Sequence, residues 1–298
     1  MKNKIIFLSL LILSTSFFSS FGQEYAVVFA GGGGKGAYQV GVWQAFNEFG
    51  IAQKITVMSG TSVGGLNSAL FACVDYKTAE EIWINDVPSN LQSAEEPFIS
   101  QSGLFSIINK IPLDMLQKKS SPAVIVTAVR KRLKLLKYIT SSPGSYAHRF
   151  FLNDEISTSE IARMLLATSA FPFATNPVLL KDGYEYTDGG EEGAGGDNIP
   201  ITPIIENFSH INTIFVVYLS DKNHVKRRIS QKDYDSKHII EIFPSIDVDG
   251  NGFWESLLDG TTNFSENRIR LLIRTGYDDA SKILTDMGLS KVSDYWFE

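Results

Sequence analysis

Cysteine is nearly absent from this chain. Cys73 stands alone among 298 residues, so no internal disulfide can form and stability must come from the apolar core. It follows Leu70-Phe71-Ala72 in an apolar, helical run with no basic residue nearby, which reads as a buried and inert thiol. Histidine is scarce, with four in the chain. Long hydrophobic runs are missing: Ile5 to Phe18 falls short of the roughly twenty residues a membrane span needs, and no later segment approaches that length. Positive charge is not in excess. A formal net charge of -6 disfavours broad binding to nucleic acid, and the basic stretches Arg130-Lys131-Arg132 and Lys226-Arg227-Arg228 read as solvated faces.

What is present is ample material for a core, 44% hydrophobic with 12% aromatic residues. The chain opens like an export signal: Lys2 and Lys4, then the apolar stretch, then small residues from Ser19 to Gly22. Removal is expected near Gly22 or Gln23, leaving one domain with a C-terminal extension over 23–298. Periplasm, cell surface and medium all remain open as destinations. No cysteine follows the apolar stretch to carry a lipid.

Tyr25 to Ala30 reads as a buried strand running into glycines, and Ala37 to Phe49 as a helix whose Val42, Ala45, Phe46 and Phe49 form an apolar stripe ended by Gly50. Ile55 to Met58 reads as a second strand and Val63 to Cys73 as a second helix. From Thr78 to Lys119 the pattern is mixed, with helical pieces at Glu80 to Asn85 and Leu104 to Asn109. Ala123 to Val129 and Ile211 to Leu219 read as strands, Ser157 to Ala167 as a helix, and Val178 to Tyr186 as a hairpin turning at Asp182-Gly183. This alternation predicts an α/β fold with a mainly parallel central sheet flanked by helices.

Two motifs carry the chemistry. Gly60-Thr61-Ser62-Val63-Gly64 falls between a strand and a helix, the setting of a nucleophile elbow, where glycines two residues either side let strand and helix approach around a strained serine. Gly31-Gly32-Gly33-Gly34-Lys35-Gly36 closes the first strand. Its backbone N–H groups, with the helix N-terminus after Ser62, could bind an oxyanion. A phosphate-cradling loop would follow its lysine with Ser or Thr, whereas Gly36 and Ala37 follow Lys35. Gly31, Gly33 and Gly36 match a dinucleotide fingerprint, but the next strand ends in the serine elbow and not in an acidic residue.

Ser62 needs a base. Asp188, in Thr187-Asp188-Gly189-Gly190, lies between a strand and a flexible turn; desolvation would strengthen it as a base, although by its local sequence alone it reads first as a turn residue. A triad with His210, His224 or His238 has the right chain order, although His210 only precedes a strand and the other two sit in a charged stretch. His148 reads as structural or exposed. A non-catalytic lipid-binding protein on the same scaffold is a third reading.

The glycine run, the serine elbow and Asp188-Gly189-Gly190 together resemble the patatin-like phospholipases in order and spacing. The resemblance extends through Ala167-Thr168-Ser169-Ala170-Phe171-Pro172, Asn198-Ile199-Pro200 and weakly Gly276-Tyr277. It implies a lipid acyl hydrolase with Ser62 as nucleophile, Asp188 as base and Gly31, Gly32, Gly33 and Gly34 as the oxyanion hole. Lys35, Gly36, Gly60, Gly64, Gly189 and Gly190 would support the motifs. It implies no metal and no cofactor, a lipid or acyl-ester substrate met by peripheral contact with membrane, and either water or another acyl acceptor. The stretch Glu191 to Asp197 is longer and more acidic than the family pattern.

Two further segments invite a ligand reading. Asp247-Val248-Asp249-Gly250-Asn251-Gly252 imitates the start of a calcium loop, but its twelfth position is Leu258, so a polar turn is expected. Lys131 to Tyr138 mixes basic and apolar residues and reads as a solvated face rather than a membrane contact.

Overall fold

A computed structural model describes residues 23–91, 99–131, 144–171, 174–225, 229–249 and 260–292. The expected leader over 1–22, most of the basic and apolar segment (132–138), the triplet 226–228 and the second half of the acidic turn (250–252) lie outside the described residues.

Eight strands form one sheet: β1 (Tyr25–Phe29), β2 (Ile55–Thr61), β3 (Ala123–Arg130), β4 (Ala147–Phe151), β5 (Val178–Leu179), β6 (Glu185–Asp188), β7 (Thr213–Val217) and β8 (His238–Ile242). Bonded neighbours run β5-β6-β3-β2-β1-β7-β8, with β4 also paired to β3. The strands β3, β2, β1, β7 and β8 are parallel, while β4, β5 and β6 pair antiparallel. β1 and β7 are buried at every position, as expected of apolar runs covered on both faces.

The helices are α1 (Ala37–Glu48), α2 (Val63–Cys73), α3 (Tyr76–Glu81), α4 (Val87–Leu91), α5 (Gln101–Ile108), α6 (Thr158–Thr168), α7 (Thr202–Asn207), α8 (Gln231–Ser236) and α9 (Glu266–Asp286). The long α9, not anticipated from the sequence, lies against α1. Its Gly276 and the facing Gly41 are where the two backbones nearly touch: a Cβ on Gly41 would sit 1.8 Å from the Ile273 carbonyl oxygen, and one on Gly276 2.0 Å from that of Tyr38. The Tyr38 hydroxyl donates to Asp279 at 3.1 Å and the Tyr277 hydroxyl to Glu48 at 2.7 Å, which fastens the pair at its edges. Two more strands were also unforeseen, β4 and β8. Both are short, at the margins of the sheet, and half-exposed.

The register on β3 decides where the site forms. Ile125, Val126 and Thr127 pair with β2 on one side and β4 on the other. Ala128 and Val129 pair with β4 and with β6. Since β4 keeps one side throughout, β2 and β6 share the other and meet end to end. β2 runs with β3 and stops at Thr61, opposite Thr127; β6 runs against β3 and stops at Asp188, opposite Ala128. The two C-terminal ends therefore face each other across one residue step.

Candidate active site

Ser62 follows the end of β2, in a backbone conformation of φ 54 and ψ -128, the one non-glycine residue with positive φ among those described. Such strain persists only where neighbours enforce it. Here the crowding is extreme: a Cβ on Gly60 would lie 2.2 Å from the Gly64 carbonyl oxygen, and one on Gly64 2.2 Å from that of Phe29. Both glycines are thus required by the closeness of strand, turn and helix, as the motif predicts. Thr168, at the end of α6, holds the elbow from below. Its hydroxyl accepts the Ser62 N–H at 2.9 Å and donates to the Thr127 carbonyl of β3.

Asp188 is 4% exposed, its carboxylate accepts the Gly190 N–H at 2.7 Å, and the Ser62 side chain is among the groups close enough to act on it. Burial pushes its carboxyl up to about 6, against the lowering effect of Ser62 and the Gly190 N–H. A cavity of about 780 Å³, counting its open mouth, reaches Ser62 and Gly33. Its walls are almost wholly apolar and include Leu66, Leu70, Trp83, Ile107, Ile108 and Phe264. The segment from Ile82 to Ile111, whose role the sequence leaves undecided, supplies about half of this lining. The polar Asn67 in the wall is fully engaged. Its Nδ2 donates to Gly36 O at 3.0 Å and Gln39 Oε1 at 2.9 Å, while its Oδ1 accepts the Trp83 indole N–H at 2.9 Å.

The glycine turn divides its labour. The Gly31 N–H donates to Asn198 Oδ1 at 3.1 Å, so it is not available to an oxyanion. Gly31 instead abuts the elbow: a Cβ there would meet Asn198 at 2.5 Å and Ser62 Cβ at 3.1 Å. Gly34 packs on Asn263 and Phe264. Gly32 and Gly33 are the half-exposed members, and Gly33 lines the cavity. Lys35 is buried with its ammonium 2.6 Å from Asp249, and Gly36 lies against Val63 and Trp83.

Asn198 ties the glycine turn to the aspartate loop. Besides its bonds to Gly31, its Oδ1 would be 2.8 Å from a Cβ on Gly190. The acidic connection folds back on itself: Asp197 N–H donates to Gly189 O at 2.8 Å, Thr61 Oγ1 donates to Asp197 O at 2.7 Å, and the Asp197 carboxylate meets Arg149 at 2.8 Å. The supporting parts of Thr168 and Asn198 were signalled in the sequence only by the motif resemblance around them. The groups acting on Asp188 are Ser62, Gly190 and Glu191, with no histidine among them. His148, His210, His224 and His238 are all exposed. Burial pushes the Cys73 thiol up to about 12, consistent with an inert side chain.

The family model for patatin-like phospholipases matches residues 27–205, a span holding the glycine turn, Ser62 and Asp188. The chain belongs to that family, which places it among lipid hydrolases. Among solved structures, it is similar to VipD from Legionella pneumophila, at 14% identity and a TM-score of 0.50, over 89% of this chain and 67% of that one. It is also similar to human GIVD cytosolic phospholipase A2, at 10% identity and a TM-score of 0.51, over 89% of this chain and 59% of that one. These likenesses concern the fold. No curated protein sequence matches the chain.

Proposed function

We propose that this chain hydrolyses fatty-acyl esters of lipids with a Ser62–Asp188 dyad. The observation that carries the reading is the meeting of the ends of β2 and β6 on β3, which sets a strained serine next to a buried carboxylate beside an apolar cavity. In the first step Asp188 takes the proton of Ser62 as Oγ attacks the ester carbonyl, and the proton passes to the departing alcohol. Water then attacks the acyl-enzyme, gives its proton to Asp188, and the acid leaves as Ser62 is restored. A carboxylate raised to about 6 suits this work better than one near 3.9, because its proton affinity lies closer to the working pH. The oxyanion would be held by the N–H groups of Gly32 and Gly33 and by the N-terminal end of α2. The apolar lining of the cavity suits an acyl chain in polarity.

Export under the leader over 1–22 and peripheral contact with lipid aggregates complete the proposal. Among the described residues no helix is long and apolar enough to cross a membrane. A fluorophosphonate probe tests the centre of it: the wild-type chain should be labelled on the peptide bearing Ser62, and Ser62→Ala should lose both the label and the release of fatty acid from a mixed lipid extract. A folded Ser62→Ala variant that keeps either property rules the dyad out.

A further inference from the structure

The loops that leave the C-terminal ends of β7 and β8 bring three potential ligands together outside the acyl pocket. Asp221 and His224 come from the first loop and Asp249 from the second, and one ligating atom of each lies within 4.8 Å of the other two. Asp249 is 9% exposed. Its Oδ1 accepts from the Lys35 ammonium at 2.6 Å, but its Oδ2 is buried without any hydrogen-bond partner. A buried carboxylate oxygen left unpaired is costly and points to a missing cationic or hydrogen-bonding ligand. Lys35 is a cation paired with Asp249, through its other oxygen.

We infer that Asp221, His224 and Asp249 bind one divalent cation. The donor chemistry, an imidazole with two carboxylates, suits Mn²⁺ or Zn²⁺ better than Ca²⁺, which takes oxygen ligands. Asp221 contacts Nδ1 of His224, so a carboxylate and the imidazole already stand side by side. His224 is exposed, so an ion has a path in from solvent. Lys35 links the site to the glycine turn: its Nζ is held by Asp249, and a Cβ on Gly32 would meet its Cε at 3.0 Å. An ion on the second oxygen of Asp249 would therefore fasten both loops to the back of that turn. The calcium-like spelling from Asp247 to Gly252 thus contributes Asp249 to a cluster with a different partner set.

The site stands apart from the esterase reading and is tested without it. Tag-free mature chain, treated with chelator and then freed of it, is titrated with MnCl₂ and separately with ZnCl₂ by calorimetry, with thermal unfolding followed in parallel. One of these ions should bind one per chain and raise the melting temperature. His224→Ala and Asp221→Asn, each checked for wild-type circular dichroism, should weaken that binding at least about tenfold. Undiminished binding in both variants, or no binding of either ion up to about 1 mM, overturns the inference. So does a preference for CaCl₂ that survives His224→Ala.

Discussion

The serine arm and the aspartate arm of this site are built in different ways. Ser62 is positioned within five residues, because Gly60 and Gly64 let β2 turn straight into α2 with the serine at the bend. Asp188 is positioned by register. It meets Ser62 because β2 and β6 occupy the same side of β3 and end at Thr127 and Ala128. Its loop is then held by Asn198, by Asp197 turned back on Gly189, and by Arg149 on β4. A local device aims the serine; distant segments deliver the aspartate. The first arm stores backbone strain, while the second holds a buried carboxylate at a cost in solvation.

The largest effect expected from this contrast is on the base. Asp188→Asn should lower kcat by about 10³-fold or more, within the range for loss of a general base. It should not lower stability. The folded carboxyl is raised to about 6 against an unfolded value near 3.8, so its ionisation opposes folding. That penalty is absent below pH 4, grows between pH 4 and 6, and is complete above 6, where it is on the order of 3 kcal/mol. At pH 8 the Asn variant should therefore match or exceed wild type in urea unfolding while being nearly inactive. A less stable Asn variant would mean that the Asp188 charge holds the loop together, contrary to the picture of an arm positioned by strand register.

A smaller loss is expected where the two arms are joined. Asn198→Ala removes the acceptor for Gly31 N–H and the contact beside Gly190, loosening the glycine turn from the aspartate loop. Its kcat should fall roughly 10- to 100-fold, because misplaced donors lose transition-state stabilisation, with KM little changed. Steady-state kinetics on one ester separates the two parameters. A rise in KM at constant kcat would assign Asn198 to substrate binding instead.

The same contrast explains what could be read in advance. α2 was expected over Val63 to Cys73 and forms there, because the motif, the helix and its apolar face are all local. β1, α1, β3 and α6 were likewise visible as apolar runs or stripes bounded by glycine and serine. For Asp188 the residue could be named, but local sequence showed only a turn; the partner strand and its register are properties of residues sixty positions earlier. β4 was hidden because Ala147–Phe151 gives no clean alternation. α9 did carry a signal, with Ile269, Leu272, Ile273, Ala280 and Leu284 buried at helical spacing, whereas its seat on α1 depends on a glycine from each helix. The family resemblance implies oxyanion donors at all four glycines, and only the position of Asn198 shows that the first is occupied.

The smallest effect concerns a second carboxylate that imitates the first. Asp197 is also buried and also pushed up to about 6, by burial working against its ion pair with Arg149. In the proposed dyad Asp188 must be ionised to accept the serine proton, so kcat/KM should rise with pH through about 6 and level off above about 7. By value alone either aspartate could produce that limb. Geometry separates them, since Asp188 ends the strand that meets the serine elbow while the Asp197 carboxylate faces Arg149 and the Ile199 N–H. Asp197→Asn should therefore leave the midpoint of the limb near 6 and change the plateau by only a few-fold. If instead the midpoint moves or the limb disappears in Asp197→Asn, the titrating group lies in the loop's anchor, and the pH dependence reports the order of the aspartate arm and not proton transfer from Ser62.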